Sequence, residues 1–356
     1  MEHGKPTGGP INVADYERLA AERLDPGAYA YFAGGANDER TLADNAEAWS
    51  RWKLRPRVLV DVATPSTATT VLGHEVALPL VIAPIAFQRA AHADGEPAMA
   101  RAAASAGTIM CLSTLATASW EEIAATGVTR WFQLYVPRDA GLRGELLAGA
   151  REHGFSALML TVDTPVLGRR ERDFRTGFAI EHPLGLEVFS GETTLTPLTA
   201  FSAMSASVGW ADIERFSSDS GLPVVLKGVQ TAEDARLACE HGAAAIVVSN
   251  HGGRQLDGVA ATADVLPEVV EAVDGRIEVL VDGGIRRGAD VVKALAVGAR
   301  AVLAGRALLW GLAVDGEQGA REVLDLLQAE IALALQLSGC RTPAEVTRAH
   351  VGRRPV

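Results

Sequence analysis

The stretch Ala245-Ile246-Val247-Val248-Ser249-Asn250-His251-Gly252-Gly253-Arg254 combines a predicted strand with two reactive side chains. Its first four residues are apolar and mostly β-branched, which is typical of a buried strand in a parallel sheet. His251 and Arg254 follow at the carboxyl end of that strand, where α/β proteins bind their ligands. An imidazole can take up a proton near neutral pH, and the planar fork of a guanidinium group binds carboxylates. The stretch therefore predicts proton abstraction from a small organic acid.

Similar apolar runs recur along the chain, with amphipathic helical patterns between them. This alternation predicts a parallel sheet with right-handed crossovers, and eight such units within one domain predict a (β/α)8 barrel. An open doubly wound sheet is the alternative, disfavoured because no predicted strand is followed by G-x-G-x-x-G. The predicted strands are 78–84, 108–113, 130–136, 157–163, 223–229, 244–250, 278–284 and 301–307. The predicted helices are 13–23, 95–106, 119–126, 140–153, 212–220, 232–241, 263–273, 288–297 and about 317–337.

The 356 residues are predicted to form a single domain, spanning 1–356. An N-terminal extension, about 1–77, precedes a barrel of about 78–340. The connection after the fourth strand, from about 167 to 210, is much longer than ordinary barrel loops. Loops of that length commonly act as active-site lids, which is the role we expect here.

Composition excludes several classes of partner. The 33 Lys and Arg residues against 44 Asp and Glu give a formal net charge of -11, which argues against nucleic acid or an anionic membrane as the main partner. The three cysteines are far apart and form no C-x-x-C, so we expect no disulfide framework and a cytoplasmic location. We also expect no secretory signal, no membrane span and no metal site, because the apolar runs and histidine spacings are wrong for them.

The ends of the predicted strands carry the candidate site. Polar groups that end buried strands need partners, and a bound ligand supplies them. Gly283-Gly284-Ile285-Arg286 after the seventh strand and Gly305-Arg306 after the eighth place backbone N–H groups and two arginines where barrels commonly hold a phosphate. These loops predict a phosphorylated ligand; the alternative is a pair of tight turns with solvated arginines.

Two strand-end residues remain open to two interpretations each. Lys227, after the fifth strand, could stabilise developing negative charge or form a Schiff base. Asp163, after the fourth, could orient and charge-stabilise the His251 imidazole, or it could cap a helix or pair with Arg169 or Arg170.

Seven motifs together point to a known family. They are Tyr-Phe-Ala-Gly-Gly-Ala at 31–36, Phe-Gln-Leu-Tyr at 132–135, Leu-Thr-Val-Asp-Thr-Pro at 160–165, Gly-Arg-Arg at 168–170, Leu-Lys-Gly-Val at 226–229, Ser-Asn-His-Gly-Gly-Arg-Gln-Leu-Asp at 249–257 and Asp-Gly-Gly-Ile-Arg-Arg-Gly at 282–288. The chain resembles the FMN-dependent (S)-2-hydroxy-acid oxidases, which include glycolate, lactate and mandelate-oxidising enzymes. The resemblance runs from about Asn12 to about His350.

The resemblance implies oxidation of a small (S)-2-hydroxy acid to the 2-oxo acid, with FMN as cofactor and O2 reduced to H2O2. It implies that His251 is the active-site base and Asp163 its charge partner. It implies substrate contacts from Tyr31, Tyr135, Arg170 and Arg254. It places Lys227 against the flavin edge that becomes negative, which favours charge stabilisation over a Schiff base. The implied FMN-binding residues are Pro84, Ile85, Ala86, Ser113, Gln133, Thr161, Lys227, Ser249, Asp282, Gly283, Gly284, Ile285, Arg286, Gly305 and Arg306.

Several alternatives stay open at this point. The proton taken by His251 comes from the hydroxyl in a hydride route or from carbon two in a carbanion route. The enzyme could instead be a dehydrogenase with another electron acceptor, or a monooxygenase of the lactate type; a flavin-free lyase or a binding protein is the alternative of another class. Leu115 stands where plant glycolate oxidases tend to carry tryptophan, so lactate-like, longer or aromatic acids are expected. Relatives are commonly tetramers, which implies a homotetramer.

Overall fold

Eight parallel strands close into a barrel in the computed structural model, which describes residues 9–181 and 194–353. Each strand pairs with the next one in the chain, and the last pairs with the first. The predicted (β/α)8 barrel is confirmed, and the open doubly wound sheet is excluded because this sheet is closed. The strands are β1 Leu80–Ile82, β2 Ile109–Leu112, β3 Thr129–Leu134, β4 Leu158–Thr161, β5 Val224–Val229, β6 Ala245–Val248, β7 Glu278–Val281 and β8 Ala301–Ala304.

Helices surround the barrel and fill the N-terminal extension. Those of the extension are Val13–Arg23, Pro26–Ala33 and Arg40–Arg51. Those that follow strands are Gly95–Ala106, Trp120–Ala124, Ala140–Glu152, Ala211–Ser220, Ala232–Glu240, Thr262–Val273, Gly288–Val297 and Arg306–Ser338. Side-chain caps explain where several helices begin. The Ser119 hydroxyl accepts a hydrogen bond from Glu122 N, and the Thr231 hydroxyl accepts one from Asp234 N. Within the described ranges, no helix combines the length and apolarity needed to cross a membrane.

The predicted boundaries around the last strand and the last helix need correction. The predicted strand 301–307 is wrong in its last three residues, because the helix Arg306–Ser338 begins directly after Gly305. This helix breaks at Asp315 and Gly316, and the predicted final helix, about 317–337, is its second part. The run 301–314 is apolar almost throughout, so periodicity could not separate a buried strand from a buried helix. The helices Pro26–Ala33 and Arg40–Arg51 were not predicted.

The inside of the barrel is packed with side chains. Trp131 on β3 and Met159 on β4 are fully buried there, next to small residues such as Ala245 and Ala301. Outward-facing residues on the same strands, such as Leu158 on β4, pack against the helices. The antiparallel hairpin Thr69–Val71 with His74–Val76 packs against this interior. Its Leu72 N–H donates to Glu278 Oε2 at the start of β7, so the hairpin covers the amino end of the barrel.

The helices of the N-terminal extension dock on the opposite, carboxyl end. Asn45 and Asn250 exchange two side-chain hydrogen bonds of 2.8 Å, which ties the helix Arg40–Arg51 to the loop after β6. Trp49 Nε1 donates to Gly283 O at 2.8 Å in the loop after β7. The extension therefore fixes the two loops that carry most of the predicted site.

The long connection after β4 contains short elements. The helix Glu171–Thr176, the strand pair Ile180–Glu181 with Thr194–Leu195, and the helix Pro197–Ser202 belong to it. Residues 182–193 lie outside the described residues, so the lid stays a prediction.

Close packing makes Gly284 indispensable in the loop after β7. Its φ is +76°, and a Cβ there would lie 1.9 Å from Asn45 O. We therefore expect Gly284→Ala to lower the free energy of unfolding by about 3 kcal/mol, through left-handed strain and overpacking. The measurement is urea unfolding of the protein without added ligand. Gly144→Ala is the matched control: Gly144 is an exposed helix residue with nothing within 4 Å of such a Cβ, so this change should stabilise by about 0.5–1 kcal/mol. Equal stability of the two variants would contradict the described packing.

Candidate active site

The predicted site residues converge on one cleft at the carboxyl end of the barrel. Three of them lie behind its lining: Asp163, Gln133 and Ser249. The predicted residues that line the cleft are Tyr31, Pro84, Ile85, Ala86, Ser113, Tyr135, Thr161, Arg170, Lys227, His251, Arg254, Asp282, Gly283, Gly284, Ile285, Arg286, Gly305 and Arg306.

His251 is held between an acid and a phenol. Its Nδ1 lies 2.9 Å from Asp163 Oδ1, and its Nε2 lies 3.3 Å from the Tyr135 hydroxyl. The backbone of His251 is left-handed, with a φ of 59°, and its N–H donates to Ser249 Oγ at 3.1 Å. Because a carboxylate can only accept, the proton sits on Nδ1 and the lone pair on Nε2. That lone pair faces the cleft.

Local electrostatics keep this imidazole neutral. Burial lowers the pKa of His251, and the positive charges of Lys227 and Arg170 lower it further, while Asp163 opposes them. Burial raises the pKa of the Asp163 carboxyl, but the interactions with His251, the charge of Lys227 and the hydrogen bond from Thr164 outweigh it, so that pKa lies below its usual value. At neutral pH the pair therefore consists of a proton-accepting imidazole and a carboxylate that can stabilise the imidazolium.

A glycine allows Asp163 to sit close to β5. Gly228 has a φ of +120°, and a Cβ there would lie 2.7 Å from Asp163 Cβ. The register of β5 against β6 shifts between Lys227 and Val229, as in a β-bulge. This local irregularity places the end of β5 against the loop that carries the acid.

Two neighbouring arginines offer an anion site. Arg254 Nη1 donates to Tyr31 O at 2.6 Å and to Gly34 O at 2.9 Å. Arg170 is 4% exposed, and its Nε donates to Arg254 O at 3.2 Å. These acceptors are main-chain carbonyls, and neither arginine forms a salt bridge within the part of the chain that the structure describes; the buried Asp173 carboxylate offsets their charge only from a distance. Burial and the nearby charge of Arg170 lower the pKa of Arg254 to about 10. A carboxylate ligand between them would relieve both effects.

Lys227, Ser249 and Asp282 form a hydrogen-bonded chain across the ends of β5, β6 and β7. Lys227 Nζ donates to Ser249 Oγ at 2.9 Å and lies 3.1 Å from Asp282 Oδ2, while Ser249 Oγ donates to Asp282 Oδ2 at 2.9 Å. Burial lowers the pKa of Lys227, but the charges of Asp282 and Asp163 outweigh it, so the pKa lies above its usual value. Lys227 is therefore a fixed cation at the cleft, not a neutral amine ready for Schiff-base chemistry.

A second chain links the ends of β2, β3 and β4. The Ser113 hydroxyl donates to Gln133 Oε1 at 3.2 Å, and Gln133 Nε2 donates to the Thr161 hydroxyl at 3.0 Å. Gln133 is buried and orients the two hydroxyls that line the cleft. Polar donors and acceptors thus stand at the ends of β2 to β7, as the strand-end argument predicted.

The cleft residues fit FMN. Asp282 Oδ1 is buried and has no hydrogen-bond partner among the described residues, which suits a ribityl hydroxyl. Gly305 caps the helix Arg306–Ser338 without a side-chain acceptor, so its first N–H groups suit a phosphate. The Arg306 guanidinium donates to three carbonyls, those of Phe32, Gly34 and Gly252. Burial lowers the pKa of Arg306 and of Arg286 nearby, so an anion is favoured at this end.

Some residues of the site were missed from the sequence. The Thr164 hydroxyl lies 2.9 Å from Asp163 Oδ1 and 3.2 Å from His251 Nδ1, so it supports the pair; its place beside Asp163 was the only signal. Phe201 lines the cleft and packs edge-on against Tyr135, with ring centroids 4.7 Å apart. It comes from the long connection, and nothing in its sequence neighbourhood indicates that position.

Comparisons with known proteins agree with this geometry. A family model described as FMN-dependent dehydrogenase matches residues 20–353. The chain is 50% identical to glycolate oxidase 3 of Arabidopsis thaliana over 350 residues, which cover 96% of this chain and 95% of that protein. It is 51% identical to L-lactate oxidase of Nostoc sp. over 349 residues, covering 93% and 95%. A crystal structure of mandelate oxidase superposes with a TM-score of 0.90 at 41% identity, covering 97% of this chain and 99% of that one.

The electrostatics of His251 can be measured directly. We expect an NMR titration of ring-labelled histidines to give His251 a pKa below its ordinary value of 6.5. Asp163→Asn should lower that pKa further, because the charge that stabilises the imidazolium is removed. His153 is the internal reference: the Gly149 carbonyl and Glu121 raise its pKa, so it should titrate above 6.5 in both proteins. A His251 pKa that rises in Asp163→Asn would contradict the assigned pair.

Proposed function

Because the chain belongs to the FMN-dependent dehydrogenase family, we propose that it oxidises a small (S)-2-hydroxy acid to the 2-oxo acid, with FMN as cofactor and O2 reduced to H2O2. The observation that carries the proposal is the position of His251 Nε2. This proton acceptor lines the same cleft as the arginine pair Arg170 and Arg254, and as the phosphate-binding loops after β7 and β8.

The charge of each cleft residue indicates its proposed role in the reaction. Bound FMN supplies a two-electron acceptor. Arg170 and Arg254 bind the substrate carboxylate, and Tyr31 and Tyr135 add hydroxyl groups beside it. His251 Nε2 takes a proton from the substrate, from its hydroxyl or from carbon two, and Asp163 stabilises the imidazolium that results.

The proposed FMN contacts are likewise assigned from charge and from free hydrogen-bonding atoms. Lys227 stabilises negative charge on the ring system, because it is a buried cation at the cleft. Asp282 binds the ribityl chain through its free Oδ1. Backbone at Gly283, Gly284 and Ile285, with Arg286, Gly305 and Arg306, holds the phosphate. The strand-end residues Pro84, Ile85, Ala86, Ser113, Gln133, Thr161 and Ser249 complete the flavin site, Gln133 and Ser249 acting from behind the lining.

The substrate side chain is proposed to be lactate-like, longer or aromatic. Ala86, Leu115 and Phe201 line the cleft, and all three are apolar. Phe87 does not line it but lies against Tyr31, with ring centroids 5.7 Å apart. An apolar wall without a large residue at 115 favours a substrate larger than glycolate. The relatives named for lactate and mandelate oxidation support this choice.

We also propose a cytoplasmic homotetramer. The supporting observation is exposed apolar surface outside the cleft: Val58, Leu59 and Leu337 are 82%, 103% and 69% exposed. Segment 57–62 and the end of the helix Arg306–Ser338 are joined by hydrogen bonds, so these side chains belong to one surface region. Such a patch suits a contact between subunits. Light scattering at several protein concentrations tests the assembly.

The direct test of function is anaerobic mixing of the FMN-loaded protein with glycolate, L-lactate, 2-hydroxyoctanoate and mandelate. We expect bleaching of the flavin absorbance, fastest with an acid larger than glycolate, and about one H2O2 per substrate when O2 is admitted. No bleaching by any 2-hydroxy acid would refute the proposal. Bleaching followed by CO2 release with little peroxide would identify a monooxygenase instead.

The variant His251→Gln distinguishes a role of His251 in flavin reduction from a role in FMN binding. This variant should retain FMN but lose flavin reduction by about 10³-fold or more, because its side chain can no longer accept a proton. His153→Gln is the matched control and should reduce at the normal rate, since the His153 ring contacts Glu121, Trp120 and the Gly149 carbonyl on the barrel exterior and does not line the cleft. Stopped-flow absorbance provides the rates. Near-normal reduction in His251→Gln would show that another group is the base.

A further inference from the structure

A second cavity lies on the outer side of β3, β4 and β5. Its volume is about 310 Å³. The inner wall consists of outward-facing strand residues such as Leu160 and Leu226, each 1% exposed. The outer wall comes from the end of the long connection and the helix that follows it, through Val208, Trp210 and Ile213. A cavity of this size has room for several small molecules.

This cavity shares a wall with the active site. Tyr135 and Thr161 line both spaces. The Tyr135 hydroxyl lies 3.3 Å from His251 Nε2, and the Thr161 hydroxyl belongs to the chain that lines the proposed flavin site. Thr164, whose hydroxyl lies 3.2 Å from His251 Nδ1, also lines the cavity. The cavity therefore ends one side chain away from the reacting groups.

The residues that line the cavity favour a small uncharged ligand. Among the described residues, neither Lys nor Arg lines the cavity, and Asp234 is the charged residue that does. An anionic 2-hydroxy acid or 2-oxo acid would be repelled by that carboxylate and would find no cation. Dioxygen is small, uncharged and apolar, so transfer from water into such a space is favourable.

A bound substrate would block the cleft, so dioxygen would need a separate route to the active site. When Arg170 and Arg254 hold a carboxylate, the ligand occupies the cleft on the substrate side. The cavity approaches from the other side of Tyr135 and Thr161. Ala206 and Gly209, at its outer rim, are exposed, so the space communicates with solvent there.

We propose that this cavity receives dioxygen from solvent and delivers it to the active site, apart from the path of the hydroxy acid. The inference rests on the proposed oxidase function. In that reaction O2 accepts two electrons from the reduced cofactor and two protons, and leaves as H2O2. The cavity contributes binding and access, and Tyr135 and Thr161 form the last barrier.

Xenon tests the binding site independently of activity. Xenon is apolar and enters cavities of this kind. Crystals of the FMN-loaded protein under xenon pressure should show a xenon atom between Leu160, Leu226 and Val208. Absence of xenon from this cavity overturns the proposal.

Cavity-filling variants test the route. Val208→Phe adds a ring to the outer wall, and Ile213→Phe fills from the neighbouring helix if the first variant folds poorly. A variant that loses the xenon peak should be reduced by substrate at the normal rate but reoxidised by O2 about tenfold more slowly, because the added ring blocks the apolar passage. Leu198→Phe is the matched control, since Leu198 belongs to the same connection, is 59% exposed and does not line the cavity.

Unchanged reoxidation in a variant that has lost the xenon peak overturns the route. These outcomes are distinct from failure of the proposed function. If no 2-hydroxy acid reduces the flavin, the oxidase assignment fails. Electron-density maps of xenon-pressurised crystals would still show whether the cavity binds an apolar gas. The rate at which O2 reoxidises photoreduced enzyme would still show whether filling the cavity slows that step.

Discussion

The hydrogen bond between His251 Nδ1 and Asp163 Oδ1 is the interaction on which the rest of the site depends. It puts the proton on Nδ1 and leaves a lone pair on Nε2, which lies 3.3 Å from the Tyr135 hydroxyl at the cleft. Much of the surrounding structure holds the two partners in place. Gly228 lets Asp163 approach β5, Thr164 bridges the pair, and Asn45 from the N-terminal extension fixes Asn250 next to His251. The fold thus presents an oriented proton acceptor to the cleft near neutral pH.

The cleft has a charge opposite to that of the whole protein. The chain carries a formal net charge of -11, yet Lys227, Arg170, Arg254, Arg286 and Arg306 all line the cleft. Asp282 neutralises one of them, and Asp163 sits behind His251. This leaves an excess of positive charge at the cleft. The two negative groups of the proposed ligands, the carboxylate of a 2-hydroxy acid and the phosphate of FMN, match that charge.

The sequence predicted the barrel and most of the cleft because both follow local rules. Apolar runs predict strands, and the polar residues after them must meet at one end of a parallel barrel. The same rules could not place the start of the helix Arg306–Ser338, which continues an apolar run. Nor could they place Phe201 or the Asn45–Asn250 pair, because these contacts join segments distant in the chain and depend on tertiary packing. The residues alone left Lys227 open between cation and Schiff base. The family resemblance favoured the cation, and Asp282 beside Lys227 in the fold agrees with that choice.

The central claim is that a neutral His251 takes the substrate proton, and the pH dependence of flavin reduction tests it most directly. Burial and nearby cations lower the pKa of His251, so the imidazole is neutral above that value and protonated below it. The rate of anaerobic reduction by substrate, measured by stopped-flow absorbance, should be constant around neutral pH and fall as the pH drops through a break below 6.5. A rate that stays constant or increases through that acidic range would contradict the account.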